Sequence, residues 1–232
     1  MPRAVLESSH ELAPGVRHFD FSVPDAARLE YKAGQFVSLV QEIGGKEITR
    51  AYSVSSAPDG GNRFSLCLNL VAGGNFSPFL FAMRAGESVA MQGPLGTFTL
   101  RDPARDMIWV ATGTGIAPFR GMLGEWRAQA APRGRVTLVF GVRHERNLLY
   151  RADFAEAAEA LPDFEFHPTL SRPAADWTGL HGHVQRHVLE AIGERRDVDV
   201  YICGLKMMVD DLRGQLKALG FDRKRIVYEK FD

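Results

Sequence analysis

Two domains of different class, an antiparallel β-barrel followed by a parallel-sheet α/β domain, are what this 232-residue sequence predicts, and three observations carry the prediction. Residues 1 to about 100 alternate apolar and polar positions between glycine and proline turns, the period-two pattern of strands with one buried face. From about residue 106 short apolar runs alternate with helical stretches, which implies parallel strands joined by crossover helices. The polar segment Leu100-Arg101-Asp102-Pro103-Ala104-Arg105 breaks both patterns. Domains are therefore expected at 1–101 and 106–232.

In the first domain, Gln35-Phe36-Val37-Ser38-Leu39-Val40 and Arg63-Phe64-Ser65-Leu66-Cys67-Leu68-Asn69-Leu70 read as strands. Alternation puts Phe64, Leu66, Leu68 and Leu70 on one face of the second, leaving Ser65, Cys67 and Asn69 to line a cofactor or an ordinary outer sheet face. In the second domain, strands are expected at Met107 to Ala111, Val136 to Phe140, Phe164 to Leu170, Val198 to Cys203 and Ile226 to Tyr228. Helices are expected from Pro118, over Leu148 to Ala160, near Val184 to Ile192, and over Met207 to Leu219. Gly113, Gly141, Ser171 and Gly204 then fall at the carboxyl ends of strands, where such sheets bind ligands.

The run Trp109-Val110-Ala111-Thr112-Gly113-Thr114-Gly115-Ile116-Ala117-Pro118-Phe119-Arg120 joins an apolar strand, a glycine turn and a proline-led helix without a gap. Gly113 and Gly115 can take φ > 0 and let a pyrophosphate approach the backbone. Pro118 presets φ for the first helical turn, where its missing N–H has no partner anyway. The helix N-terminus then faces the anion. The segment reads as a dinucleotide cradle, with a plain structural turn as the competing reading.

Upstream, Arg50-Ala51-Tyr52-Ser53 puts a cation, a flat ring and a hydroxyl on one short segment. Arginine clamps a phosphate in bidentate fashion, tyrosine covers a ring face, and serine hydrogen-bonds a ring nitrogen, which together suit a flavin. In isolation the segment is an ordinary sheet edge. With the cradle downstream and in this order, the chain resembles the ferredoxin–NADP reductase family of FAD-dependent enzymes. Further motifs of that family occur in order. Gly74-Asn75-Phe76-Ser77 resembles its phosphate-binding turn at a helix start, and Gly93-Pro94-Leu95-Gly96 the turn closing its flavin domain. Tyr201-Ile202-Cys203-Gly204-Leu205 resembles its strand-end cysteine motif, and Glu229-Lys230-Phe231 its terminal carboxylate-plus-aromatic pattern.

The resemblance implies residue roles. Arg50 pairs with the FAD pyrophosphate, Tyr52 stacks on the isoalloxazine, Ser53 approaches its N5 edge, and Gly74, Asn75, Phe76 and Ser77 hold phosphate. Phe231 covers the opposite flavin face and moves aside for nicotinamide, or else plugs the core; plant-type members carry tyrosine there. Thr114, Cys203 and Glu229 line the nicotinamide, with Cys203 packing on the ring and Glu229 orienting it or relaying a proton; a buried structural thiol and a solvated terminal acid are the plainer readings. Gly113, Gly115, Pro118, Gly141, Arg143, Gly204 and Leu205 complete the coenzyme cradle. Ser171 and Arg172 are the pair that NADPH-specific relatives carry for the 2'-phosphate. Here His183-Val184-Gln185 stands where those relatives have tyrosine before Ile-Gln, and Leu180 or His181 stands where a basic residue often lies. The phosphate pocket is then incomplete or rebuilt with His183 and Gln185, and NADP(H) is expected over NAD(H).

Composition limits the alternatives. With 28 basic and 28 acidic residues the net charge is zero, which suggests neither bulk nucleic-acid binding nor attraction to an anionic membrane and leaves a charged partner only a local patch. Hydrophobic residues make up 45% of the chain, enough for well-buried cores. No apolar stretch approaches the ~18 residues of a membrane span, and the N-terminus carries no signal-peptide pattern, so a cytoplasmic location is expected. Only Cys67 and Cys203 occur, too few for an iron–sulfur cluster held by four cysteines, so an iron–sulfur partner would be a separate protein. The segment Arg101 to Arg151 holds nine Lys or Arg against four Asp or Glu, either a docking face for an acidic carrier or a dispersed set of helix charges. The expected function is an FAD-dependent reductase, in monomeric form, moving hydride between NAD(P)H and FAD and single electrons to or from ferredoxin or flavodoxin. The alternatives are an NADH-using reductase component of an oxygenase or cytochrome system, a flavin-binding subunit active only in a larger complex, and a nucleotide-binding module without flavin.

Overall fold

The computed structural model describes residues 1–129 and 132–231. It divides into two compact units, Met1–Leu100 with Ala117–Arg127, and Arg101–Ile116 with the chain from Ala128 onward.

The first unit holds six antiparallel strands: β1 (Arg3–Ala13), β2 (Val16–Ser22), β3 (Phe36–Ile43), β4 (Lys46–Ser53), β5 (Arg63–Asn69) and β6 (Ser88–Leu95). They hydrogen-bond in the order β4-β3-β6-β1-β2-β5. An isolated bridge from Val54, one residue past β4, to Leu66 of β5 links the two outer strands, so the sheet closes as the alternation predicts. Phe64, Leu66 and Leu68 enter a core with Phe19, Phe21, Val37 and Leu39, where the Phe21 and Phe64 rings stack at 5.5 Å. Leu70 does not join them: β5 ends at Asn69 and Leu70 is 45% exposed. The opposite face of β5 is a closed polar network, in which Asp20 accepts hydrogen bonds from Ser65 (2.8 Å), Ser8 (2.7 Å) and His18 (2.9 Å).

Two helices complete this unit. Helix α1 (Phe76–Ala82) buries Phe76 and Leu80 against the barrel core. Helix α2 (Ala117–Arg127) follows the glycine turn yet groups with this unit. Glycine makes that possible: a Cβ on Gly121 would lie 2.6 Å from the Ser56 carbonyl oxygen. Phe119 meets Phe98 edge-on, and the Glu125 carboxylate accepts the Ala33 N–H at 2.8 Å. The expected domain of 106–232 is thus interrupted by one helix. The expected turn at Gly93-Pro94-Leu95-Gly96 is largely strand, since Leu95 pairs with Phe36 at the end of β6 and only Gly96 lies beyond.

The second unit is a six-stranded parallel sheet of β7 (Met107–Thr112), β8 (Val136–Val142), β9 (Phe164–Leu170), β10 (Leu180–His181), β11 (Asp199–Leu205) and β12 (Ile226–Phe231), in the order β10-β9-β8-β7-β11-β12. Helices α4 (Val184–Ile192) and α5 (Lys206–Ala218) share a core with Ile108, Val110, Val139, Val200 and Ile202. Helix α3 (Arg151–Ala160) sends Phe154 to Phe164 and Phe166. It starts three residues later than expected because Tyr150 has φ +53°, a left-handed conformation that an α-helix cannot include. Among the described residues no helix is long and apolar enough to cross a membrane.

Candidate functional site

In the first unit the two flavin-type motifs converge. Strand alternation sends Arg50 and Tyr52 to one face of β4 and Ser53 to the other, where it is buried opposite Phe36. The Tyr52 ring lies 6.2 Å from that of Phe76, which brings the end of β4 to the start of α1. There Asn75 precedes the helix, and the buried Ser77 hydroxyl accepts the Val71 N–H at 2.9 Å, fixing the Gly74-Asn75-Phe76-Ser77 turn. Arg50 is exposed, spends one N–H on the Thr49 carbonyl and has no carboxylate partner among the described residues. Burial pushes the Tyr52 hydroxyl up to about 12, only partly offset by Arg50, so the ring stays neutral at physiological pH. A free guanidinium, a neutral aromatic face and a fixed hydroxyl at a helix start form a donor set that fits a phosphate-bearing, ring-bearing cofactor such as FAD.

In the second unit the predicted coenzyme residues gather at the carboxyl end of the sheet. Gly113 has φ +54° and a Cβ there would meet nothing within 4 Å, which leaves the backbone open to a ligand. Gly115 does not take a positive φ, contrary to expectation. Its glycine is needed for packing, because a Cβ would lie 2.4 Å from the Cys203 carbonyl oxygen. A short 3-10 turn, Gly113–Ile116, carries Thr114 and leads into α2, where Pro118 occupies the second position. Gly141 stands beside Thr112 in register, and its missing Cβ makes room for Val184 at the start of α4.

The residues expected to read a 2'-phosphate are tied together by backbone. Ser171 N–H donates to the Val142 carbonyl at 3.0 Å and Arg172 N–H to the Arg143 carbonyl at 2.8 Å, so the loops after β8 and β9 run as one. His144 Nδ1 adds a 2.8 Å bond to the Arg172 carbonyl oxygen. The side chains of Arg143 and Arg172 are both exposed. His183 precedes α4, exposed and without a capping bond. Gln185 is less available than expected, since its amide donates to Asp211 on α5 at 2.8 Å while its buried Oε1 has no partner.

Cys203 and Glu229 are register partners on β11 and β12, as Leu205 and Phe231 are two residues on. Burial, with the Glu229 charge adding to it, raises the Cys203 thiol well above the usual range. Such a thiol is not an anion at neutral pH, and with none of its surface exposed it matches the plainer expectation of a buried structural thiol and is no nucleophile. Two cavities lie elsewhere, one of about 460 Å³ beside Glu165, His167, His187 and Glu190, the other of about 290 Å³ beside Asp20, Arg63 and Ser65. Of the residues named from the sequence, Leu180 lines the first and Ser65 the second, and none of the flavin or coenzyme motif residues lines either. Sequence reasoning passed over Thr112, His144 and Asp211, which hold site residues through contacts that only the fold creates; for Thr112 the visible signal was a hydroxyl between a strand and its glycine turn.

Comparisons with known proteins match two families along the chain. Residues 3–100 match an oxidoreductase FAD-binding domain and residues 109–214 an oxidoreductase NAD-binding domain. The chain is 38% identical over 239 residues to "Ferredoxin--NADP reductase B" of Sorangium cellulosum, covering 99% of this chain and 97% of that one. The chain belongs to the ferredoxin–NADP reductase family. Among solved members of similar fold, a cytochrome P450 reductase of Amycolatopsis aligns with a TM-score of 0.88 at 30% identity, covering 99% of this chain and 69% of that one. A ferredoxin–NADP reductase of Neisseria gonorrhoeae with bound FAD and NADP aligns with a TM-score of 0.80 at 26% identity, covering 98% and 97%. As a ferredoxin–NADP reductase-type oxidoreductase, the chain has an FAD-binding antiparallel domain and an NAD(P)-binding α/β domain, and acts in electron transfer.

Proposed function

We propose that this reductase uses NADPH in preference to NADH and exchanges single electrons with a separate acidic carrier, a ferredoxin or flavodoxin. The observation that supports it most is the backbone link between Arg143 and Arg172, which holds two exposed guanidinium groups on adjoining strand ends where a 2'-phosphate needs bidentate cations. Ser171 supplies a hydroxyl to the same phosphate and His183 a nearby ring nitrogen.

FAD, when bound, supplies the conversion between two-electron and one-electron chemistry. The chain's own residues bind and orient. Arg50 neutralises pyrophosphate charge, the Gly74-to-Ser77 turn offers N–H and hydroxyl donors, Tyr52 covers a ring face, and the Ser53 hydroxyl is offered to the N5 edge. At the coenzyme end, Gly113 admits the dinucleotide backbone, Gly115 lets the turn close on Cys203, and Thr114 and Leu205 shape the nicotinamide side. Glu229 holds the carboxamide or a proton, and Phe231 is the terminal aromatic that nicotinamide displaces.

The similarity to a cytochrome P450 reductase supports a second reading, a reductase component that serves an oxygenase or cytochrome and uses NADH. Anaerobic stopped-flow reduction of the flavin by NADPH and by NADH separates the two. Fast reduction by NADPH alone is the expected result; equal or faster reduction by NADH would establish the second reading. Turnover of ferricyanide by the isolated protein is expected in both cases, and its absence would reveal a subunit dependent on a larger complex.

A further inference from the structure

Thr112 ends β7, and its hydroxyl has a task that none of the roles above includes. Its Oγ1 accepts the N–H of Leu205 at 3.1 Å, across the 93 residues that separate them. Leu205 stands at the N-cap of α5 and has no side chain able to cap a helix. The hydroxyl of a neighbouring strand therefore satisfies the backbone where α5 begins.

The same hydroxyl shapes the preceding residue. Gly204 has φ +140°, a conformation L side chains rarely adopt, and a Cβ on it would lie 2.2 Å from Thr112 Oγ1 and 2.9 Å from the Thr112 carbonyl oxygen. Gly115, three residues after Thr112, presses on the same segment, its absent Cβ leaving room for the Cys203 carbonyl and, at 2.7 Å, the Gly204 Cα. One continuous turn thus grips Cys203-Gly204-Leu205 at two points.

We infer that Thr112 is a positioning residue for the nicotinamide coenzyme: its hydroxyl locks Cys203-Gly204-Leu205 onto the Gly113-Thr114-Gly115 turn, so that both strand ends meet the dinucleotide as one preorganised surface. This rests on the proposed assignment of these residues to the coenzyme. The physical gain is that ordering Leu205 and the first turn of α5 is completed in folding and is not charged against binding.

The test uses the FAD-loaded full chain with two substitutions. Thr112→Val keeps the branched shape and removes the acceptor; Thr112→Ser keeps the hydroxyl. NADP+ and NAD+ binding are followed by flavin difference spectra, flavin reduction by stopped flow, and FAD content and thermal midpoint as controls. Thr112→Val is expected to weaken coenzyme binding about 5–10-fold, the scale of one hydrogen bond, with FAD content unchanged, and Thr112→Ser to stay within about twofold of the parent. Parent-like binding in Thr112→Val, or equal impairment in Thr112→Ser, overturns the inference. Amide exchange in the unsubstituted protein gives a check without a variant: the Leu205 N–H is expected to exchange slowly without coenzyme, and exchange at the rate of exposed loop amides overturns the lock. If the unsubstituted protein binds neither NADP+ nor NAD+, the coenzyme assignment itself fails.

Discussion

Arg172 and Arg143 divide one task between side chain and main chain. The backbone bond between the two loops fixes their main chains, and among the described residues neither guanidinium has an ion-pair partner, which leaves both available for the proposed phosphate contact. Replacing Arg172 by Ala leaves that bond intact while removing a charged donor worth roughly 1.5–3 kcal/mol to a phosphate. The KM for NADPH is expected to rise about tenfold or more and that for NADH to change little; parallel changes in the two would remove Arg172 as the phosphate reader. His18 illustrates a second residue-level effect, on stability. Burial lowers its pKa from 6.5, with Asp20 pulling only partly the other way, so the unfolded chain takes up the proton more readily. Its contribution to stability is complete above about 6.5 and is lost as pH falls below that value. Asp20 follows the same sign further down: burial opposes its charge, but bonds from Ser8, Ser65 and His18 outweigh that and leave its pKa lower than 3.8. The thermal midpoint should fall between pH 7 and 5, and His18→Gln should flatten that interval while sparing the fall below about pH 4. Parallel curves for the two proteins would exclude His18 as the source.

At the scale of elements, two glycines on helices predict opposite outcomes. On α2, Gly121→Ala forces a methyl to within 2.6 Å of the Ser56 carbonyl and should cost about 1–3 kcal/mol. On α5, a Cβ at Gly214 meets nothing within 4 Å, so Gly214→Ala should add about 0.5–1 kcal/mol from helix propensity. Thermal melts of the pair settle both, and the same sign for both would defeat the argument. The periodic elements were the legible ones: β9 spans Phe164–Leu170 and α4 spans Val184–Ile192 as the pattern predicts, because apolar spacing records which face each buries. What the sequence concealed was decided by partners far along the chain. The positive φ of Tyr150 delays α3, pairing with Phe36 turns Gly93 to Leu95 into strand, and the carbonyl of Cys203 dictates the glycine at 115. The proposed site residues were named from the sequence by residue type, as with Arg50, Ser171 and Arg172. Of the residues that support them, His144 and Asp211 carry no local signature, and Thr112 shows only a hydroxyl between a strand and its glycine turn.

On the scale of the whole molecule, the basic excess between Arg101 and Arg151 is partly offset within the fold, and several of its arginines are held by local contacts. Arg105 pairs with Asp102, Arg133 with Asp163, Arg135 with Glu165 and Arg151 with Glu145, while Arg101 and Arg120 donate to the carbonyls of Lys224 and Ser55. With a net charge of zero, little long-range field remains for steering. Reduction of an acidic carrier should therefore slow by no more than about threefold from low to physiological ionic strength, measured under steady-state turnover. A tenfold loss would restore the docking-face reading.

The allegiance of α2 bears on how such chains exchange parts over evolutionary time. Its Gly121, Phe119 and Glu125 are fitted to Ser56, Phe98 and Ala33, although the helix is encoded after the polar boundary at Arg101. A recombination event at that boundary would replace α2 along with the coenzyme domain and leave a foreign helix against the barrel. Chimeras joined after α2 should keep the helix on its barrel but set a foreign β7 between β8 and β11, whereas those joined at residue 101 keep the sheet and exchange the helix, so either junction succeeds best between relatives whose fitted residues have changed together.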